Sequence, residues 1–558
     1  MSGGCPSNVD NRHSNISNIR GDQFNITVLN QSESGLLSID KLPNSLNYIF
    51  SAASKQVLQD LNPVEMDPCM RKECLADTRT NVLRLVINWV EDLENEQNVL
   101  WIHGLAGSGK STLSTTIASH LRKSGNLGAF LFFDRDVAER NNPRAVIRTM
   151  AHQISGFHPY IGESIASAIE ASPNICLSPM YHQFQRLLVD TLSSSNGLAN
   201  TAPIVLVLDA LDECGTPKDR ETLLTVLSDQ SSHLHPTIRF IFTSRAEYDI
   251  LRAFDHKPHV KTLELDIMSR DNHGDIQLYI RHQMANIPTR GTLSLGDNWP
   301  GEEVIVNLTD KASGLFIWAS TAMEFIAGYD PMQRLAALLN IKAATTTQAT
   351  LDALYRRALE LAGIWDDEDF VSDFRSILGP VLVAQRHLSS DGIDHLFRNS
   401  DDRPSIHIIS HLGCVLRASP TVRLLHPSFA EFLLTRSRCN NDVWFFDRAT
   451  QHRIVALKCL QHLDAVLKRN ICNLTLSRDL ADETLPDHTS YACMFWIDHL
   501  CLVSDIHISL VDKLSGFLHL HLLHWFESLS ILRRSRCTIS AIGCLLDWLV
   551  VSSANIGM

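Results

Sequence analysis

Residues 104–111 read Gly104-Leu-Ala-Gly-Ser-Gly-Lys-Ser111, and this octapeptide decides the fold. It fits G-x-x-x-x-G-K-[ST], the phosphate-binding loop. Gly104, Gly107 and Gly109 let backbone N–H groups turn toward an anion where a Cβ would block the approach. Lys110 is placed to reach β- and γ-phosphates, and the Ser111 hydroxyl to ligate Mg2+. A helix that starts here adds the positive end of its dipole. The flanks agree. Asn98-Val-Leu-Trp-Ile-His103 is an apolar run predicted as a strand. Ser111-Thr-Leu-Ser-Thr-Thr-Ile-Ala-Ser-His-Leu121 has helical spacing through Leu113, Ile117 and Leu121 before Gly125. Strand, loop, helix is the order the motif requires; the bland alternative is a glycine-rich surface turn.

A Mg2+–nucleotide site also needs a carboxylate ending a neighbouring buried strand. Ile204-Val-Leu-Val-Leu-Asp-Ala-Leu-Asp-Glu213 offers one. Residues 204–208 are apolar on both faces, as in a central parallel strand, and Asp209 closes the run where it can hold a Mg2+-bound water. Asp212 and Glu213 follow; either can polarise an attacking water, and both equally fit the cap of the next helix. A third element, Ile238-Arg-Phe-Ile-Phe-Thr-Ser-Arg245, is a strand that ends where α/β sheets bind ligands. Arg245 can meet a γ-phosphate there, or serve as an ordinary surface ion pair. The expected fold is an α/β P-loop NTPase domain with a doubly wound parallel sheet, followed by mainly helical and winged-helix domains.

With 558 residues the chain has room for three or four domains. Its 44% hydrophobic and 20% charged residues describe a globular protein, and a net charge of −13 argues against a nucleic-acid partner. The 13 cysteines occur singly, without a C-x-x-C pair, which predicts a reducing, cytoplasmic setting. Among the 25 histidines, His407 and His411 fall with Cys414 on one face if a helix runs there. A zinc site would need a fourth ligand, and none lies nearby in sequence. His519, His521 and His524 spread around a helix at about 100° per residue. Both groups read as ordinary helix faces. The polar stretch Met1–Asn30 predicts no signal peptide. No stretch reaches ~18 uncharged apolar residues, so no membrane contact is expected. The nearest, 314–328 and 537–558, are interrupted by Glu324 and Asp547 and read as buried helices.

Residues 1–33 are rich in Asn and Ser. Within them Phe24, Ile26 and Val28 alternate with polar residues, as in an edge strand on a flexible tail or a self-templating cross-β segment. Residues 34–96 read as a linker and a helix capped by Asp77 or Thr78, with Val82, Val86, Trp89 and Leu93 on one face. The nucleotide domain is expected over 97–270, with helical crossovers in 143–195. Helical runs at 275–284, 304–326, 349–362 and 373–384 predict a helical domain over 271–345 and a further unit over 346–440. In that unit Cys414-Val-Leu-Arg417 and Thr421-Val-Arg-Leu-Leu425 flank Ser419-Pro420 like the hairpin of a winged helix. Residues 441–558 are helical again. No repeat of fixed period occurs.

Together with these three elements, Arg148-Thr-Met-Ala-His-Gln-Ile154, Gly314-Leu-Phe-Ile-Trp-Ala319 and Leu425-His-Pro-Ser-Phe-Ala-Glu-Phe-Leu433 resemble a NACHT-type NTPase of the STAND class. The closer resemblance is to fungal NLR-like proteins, over residues 70–500. It implies domains that close around ADP and open on exchange for ATP, with GTP not excluded. An oligomer then signals to an N-terminal effector, in an immune or self/non-self response. Hydrolysis would be a slow regulatory reset. The resemblance also implies roles. Gly104, Gly107, Gly109, Lys110, Ser111 and Thr112 would contact phosphates. Ser111 and Asp209 would hold Mg2+, and Asp212 or Glu213 would be the distal acid. Arg245 would sense the γ-phosphate. His426 would touch the ADP phosphates; as a lone histidine before a proline it also fits a core position. Ala210 departs from the family's glycine. Phe316 stands where many relatives have a proline near the adenine, which leaves base stacking and the ATP–GTP choice open. Up to Met558 there is no repeat sensor, as in a truncated or adaptor-like member. The competing readings are a phosphoryl-transfer enzyme such as a nucleotide kinase, and a scaffold that holds nucleotide without hydrolysing it.

Overall fold

The computed structural model describes residues 52–68, 71–92, 94–193, 202–287, 299–342, 346–399, 402–473, 485–503 and 508–556. The alternating segment at Phe24, Ile26 and Val28 lies outside them, as does Leu93.

Five parallel strands form one sheet in the order β2-β3-β4-β1-β5: β1 Val99–His103, β2 Leu127–Phe132, β3 Ile204–Asp209, β4 Ile238–Ser244 and β5 Val260–Glu264. Every residue of β3 and β4 is buried, because successive side chains point to opposite faces and both faces are covered. On one face Trp101, Leu206, Leu208, Phe240 and Phe242 pack with Ile147, Met150 and Ile154 of helix Val146–Ser155. On the other, Leu100, Ile102, Val205, Val207 and Ile241 pack with Leu113, Ile117 and Leu121 of helix Lys110–Lys123, and with Val86 and Trp89. This is the doubly wound sheet that the sequence predicts.

The strand order places the site. β4 lies between β1 and β3, with His103 beside Ser244 and Leu208 beside Phe242. The glycine loop after β1, Asp209 at the end of β3 and Arg245 after β4 therefore emerge side by side at the carboxyl edge of the sheet.

Beyond the sheet the chain is mostly helical. Its apolar residues, from Ile276 to Trp548, form a continuous core. The expected hairpin is present as β6 Leu416–Arg417 and β7 Arg423–Leu424, antiparallel and followed by helix Pro427–Leu434.

Four expectations need correction. Helix Thr80–Glu91 is not capped by Asp77 or Thr78; Arg79 precedes it in a left-handed conformation (φ 57°) and makes no side-chain cap bond. The run 304–326 is two helices, Glu302–Ala312 and Phe316–Ile326. Ser313 (φ 49°) and Gly314 (φ 79°) break it, and a Cβ on Gly314 would meet the Ile267 carbonyl oxygen at 2.2 Å. The helix at His407 ends at His411; both histidines are exposed and Cys414 is buried, so the three share no face. Helix Ser535–Ile556 buries Leu545 and Trp548 but leaves Ile539 83% and Val550 71% exposed, so it is not an enclosed helix. By contrast Phe316–Ile326 buries Trp318, Ala322, Phe325 and Ile326, as expected. Among the described residues no helix is long and apolar enough to cross a membrane.

Candidate nucleotide-binding site

Gly107 (φ 76°) and Gly109 (φ 91°) sit in the left-handed region that side chains avoid, and a Cβ on Gly107 would lie 2.0 Å from Ile317 Cγ2. Helix Lys110–Lys123 starts directly after them, so the N–H groups at Lys110, Ser111 and Thr112 have no acceptor within the helix. Ser108 Oγ is buried without a hydrogen-bond partner. These unpaired donors around a glycine cradle fit phosphate oxygens. Lys110 Nζ donates to the carbonyls of Gly104 (2.7 Å) and Leu105 (2.8 Å). Burial pulls its pKa down to about 8; Asp212, Asp209 and Glu213 oppose the shift, while Arg245 adds to it.

Asp209 is fully buried. Thr243 Oγ1 donates to its Oδ1 and the Arg71 guanidinium to its Oδ2. A carboxylate and the Ser111 hydroxyl are the hard oxygen donors that Mg2+ prefers, so this pair fits the ion. Ala210 takes the left-handed backbone that a glycine would adopt freely (φ 60°), at a cost of about 1–2 kcal/mol.

Asp212 and Glu213 lie in the turn Leu211–Glu213. Neither caps the next helix, because Thr216 does so in a capping box with Asp219. Asp212 accepts the backbone N–H of Arg245 (3.0 Å) and pairs with its Nε (3.2 Å). Burial, then the charges of Asp212 and Asp134, push the Glu213 pKa up to about 8, so it holds its proton at neutral pH. In this arrangement one acid is paired and the other protonated, and neither is ready to take a proton from water. Glu213→Gln is expected to keep ATP affinity and to slow single-turnover hydrolysis about 100-fold. Normal hydrolysis in that variant, with a block in Asp212→Asn, moves the base to Asp212.

His426 is the N-cap of helix Pro427–Leu434. Its Nδ1 accepts the Ser428 N–H (3.1 Å), which puts the imidazole proton on Nε2. Burial, then the charge of Arg245, pull its pKa down to about 4; Lys110 adds to this and Glu431 opposes. The ring is thus a neutral Nε2–H donor within electrostatic reach of the loop lysine and the strand-end arginine. Thr112 lies in the first turn of the loop helix, where its carbonyl accepts Thr116 Oγ1 (2.9 Å).

Four residues escaped the sequence reading. Glu431 accepts Arg245 Nη2 (3.0 Å), pairs with Arg135 Nη1 (3.8 Å) and accepts Arg438 Nη1 (3.4 Å). It ties the sheet edge to the helix that carries His426. Its signal was available: it is the sole charge on the apolar helix Pro427–Leu434. Arg220, 1% exposed, pairs with Glu247 and Asp249 and donates to the Asp212 carbonyl (2.7 Å), so it bolts the acid turn to the loop after Arg245. Arg79 donates to the Ser108 carbonyl (2.6 Å) and lies over the Phe316 ring at 4.8 Å. Arg71, on Asp209, is the fourth.

A glycine loop opening a helix, a buried strand-end aspartate with a distal acid pair, and an arginine after the intervening strand are the elements of a P-loop NTPase site. Residues 83–245 match the family model described as "Nephrocystin 3, N-terminal". Over 486 residues, 80% of this chain, the sequence is 26% identical to Vegetative incompatibility protein HET-E-1 of Podospora anserina. These two matches bear out the resemblance to NACHT-type STAND NTPases and fungal NLR-like proteins. The chain spans 34% of the length of that relative. Among solved structures, one similar chain is the Signal Transduction ATPase with Numerous Domains protein with a tetratricopeptide repeat sensor from Pyrococcus horikoshii. It is 12% identical, with 87% of this chain and 60% of that chain covered and a TM-score of 0.43. Another is Cdc6p from Pyrobaculum aerophilum, 12% identical, with 72% and 98% covered and a TM-score of 0.31.

Proposed function

We propose that the protein is a nucleotide-operated signalling switch. It holds ADP in a closed arrangement, exchanges it for ATP with Mg2+, opens, and assembles with further copies of itself to engage an effector protein. The observation that carries this reading is the convergence of two distant parts of the chain on one loop: Lys110 and Arg245 from the sheet edge, His426 and Glu431 from one helix turn in the winged-helix-like unit. A switch needs contacts that exist in one state only, because a ligand shifts an equilibrium only through differential affinity. On this reading the Arg245–Glu431 pair and a hydrogen bond from His426 Nε2–H to the bound phosphates would be such contacts. Mg2+, held by Ser111 and Asp209, would neutralise phosphate charge. Lys110 and the loop N–H groups bind the phosphates and Arg245 orients toward the terminal one; once opening has parted Asp212 from Arg245 and let Glu213 lose its proton, one of these two acids accepts the proton from water. The HET-E-1 match supports a self/non-self or immune response as the setting. Hydrolysis then resets the switch.

His426→Ala tests this. The variant should release ADP about tenfold faster, the effect of roughly 1.4 kcal/mol, and form more nucleotide-dependent oligomer by light scattering. A merely structural histidine would instead leave a cavity, and the melting temperature would fall with or without nucleotide. A lower melting temperature of the nucleotide-free protein with an unchanged ADP off-rate overturns the reading.

A further inference from the structure

The pair suited to hold a metal ion is touched by a cation of the chain itself. Arg71 lies in the stretch before the NTPase sheet. Its guanidinium pairs with Asp209 Oδ2, donates from Nε to Thr115 Oγ1 (3.1 Å) and from Nη2 to the Ser111 carbonyl (3.4 Å), and rests over the Phe132 ring at 4.5 Å. Thr243 takes the other oxygen of Asp209, so both carboxylate oxygens are engaged. Two more contacts lay the same stretch along the loop helix: Cys74 N–H on Thr116 Oγ1 (2.8 Å) and Arg79 on the Ser108 carbonyl (2.6 Å). Residues 71–79 thus form a strap from the acid at the end of β3 to the glycine loop.

A fully buried carboxylate needs a compensating charge. Arg71 supplies it now, and a divalent cation beside Ser111 and Asp209 would supply it equally. Two cations on one carboxylate oxygen repel, so each weakens the other. We propose that Arg71 is a tethered counter-ion that competes with Mg2+ for Asp209. With the guanidinium in place the site accepts a nucleotide diphosphate without metal. A divalent cation displaces it and frees the strap, which reports metal occupancy to the chain N-terminal of the sheet. The nucleotide part of this proposal rests on the switch reading above; the competition for Asp209 does not.

The test uses the full chain. Mn2+ binding to the nucleotide-free protein, read by electron paramagnetic resonance, should be about tenfold tighter in Arg71→Gln than in the wild type, the size of one charge-assisted contact. If Arg71→Gln does not fold, Arg71→Lys is read instead: its looser grip should give a smaller gain of the same sign. Equal or weaker Mn2+ affinity in the folded variant overturns the proposal, and Arg71 is then a structural ion pair. Calorimetry with ADP gives the second readout. Wild-type affinity should be nearly the same in Mg2+ and in EDTA, whereas Arg71→Gln should bind ADP about tenfold more weakly in EDTA, where bare Asp209 repels phosphate. Hydrogen exchange over residues 71–79 should quicken when Mn2+ is added to the wild type. Absence of any ADP binding in the wild type sinks the switch reading but leaves the Mn2+ result to decide the competition.

Discussion

Arg220→Ala is expected to lower stability by about 1.5–3 kcal/mol, the cost of losing charge-assisted hydrogen bonds from a buried guanidinium to two half-buried acids. That is a large share of the ~5–15 kcal/mol that holds a typical domain together. The reason lies in what remains. Glu247 and Asp249 would face each other beside a 1%-exposed hole, and the Asp212 carbonyl would lose its donor. Urea unfolding followed by tryptophan fluorescence measures the change. Volume and charge can be separated. Arg220→Met keeps most of the packing but still strands two carboxylates, and adding Asp249→Asn to it should recover part of the loss. If Arg220→Ala unfolds at the same urea concentration as the wild type, the arginine does not hold these loops. The second outcome concerns the site. With the bolt gone, Asp212 and Arg245 are no longer fixed relative to each other, so hydrolysis should fall further than ADP affinity.

Lys110→Ala should act in the opposite way, sparing the fold and damaging the site. Among the described residues its Nζ donates to two loop carbonyls, which water can satisfy. Removing a charge-assisted contact to phosphate costs about 1.5–3 kcal/mol, so ADP and ATP should bind about 10–100-fold more weakly by calorimetry. The melting temperature without nucleotide should barely move. Unchanged affinity would remove the loop from the site altogether.

What could be read in the sequence was what is local. The glycine loop, the apolar run ending at Asp209 and the Thr-Ser-Arg strand each carry their chemistry within about ten residues, and each sits on its expected element. The hairpin around Ser419-Pro420 is of the same kind. The arginine contacts are of another kind. Arg71 meets Asp209 across 138 residues and Arg245 meets Glu431 across 186, separations that no spacing pattern encodes. A guanidinium on a long stem leaves no periodic trace; only the folded sheet edge brings it to its acid. The unforeseen helix break at Ser313–Gly314 has a different cause. Apolar periodicity continues through it, and a left-handed pair inside an apolar run is chosen by what it packs against, here the Ile267 carbonyl. The exposed face of Ser535–Ile556 was hidden because apolar residues announce burial but not the partner that covers them.

That same break has a mechanical side. It aims the start of helix Phe316–Ile326 at the glycine loop, where the Ile317 N–H bonds to the Gly107 carbonyl (3.1 Å) and the Ile317 methyl fills the space a Cβ on Gly107 would need. Loop and helix meet with no free play, like a cam and its follower. The helix has 11 residues and is therefore a rod about 16 Å long. Its far end is sunk in the core of the helical half. If the number of bound phosphates tilts the loop at Gly107, that tilt would be carried and enlarged along the rod. On the proposed switch reading, this rod would be the lever that turns occupancy of the loop into movement of a domain.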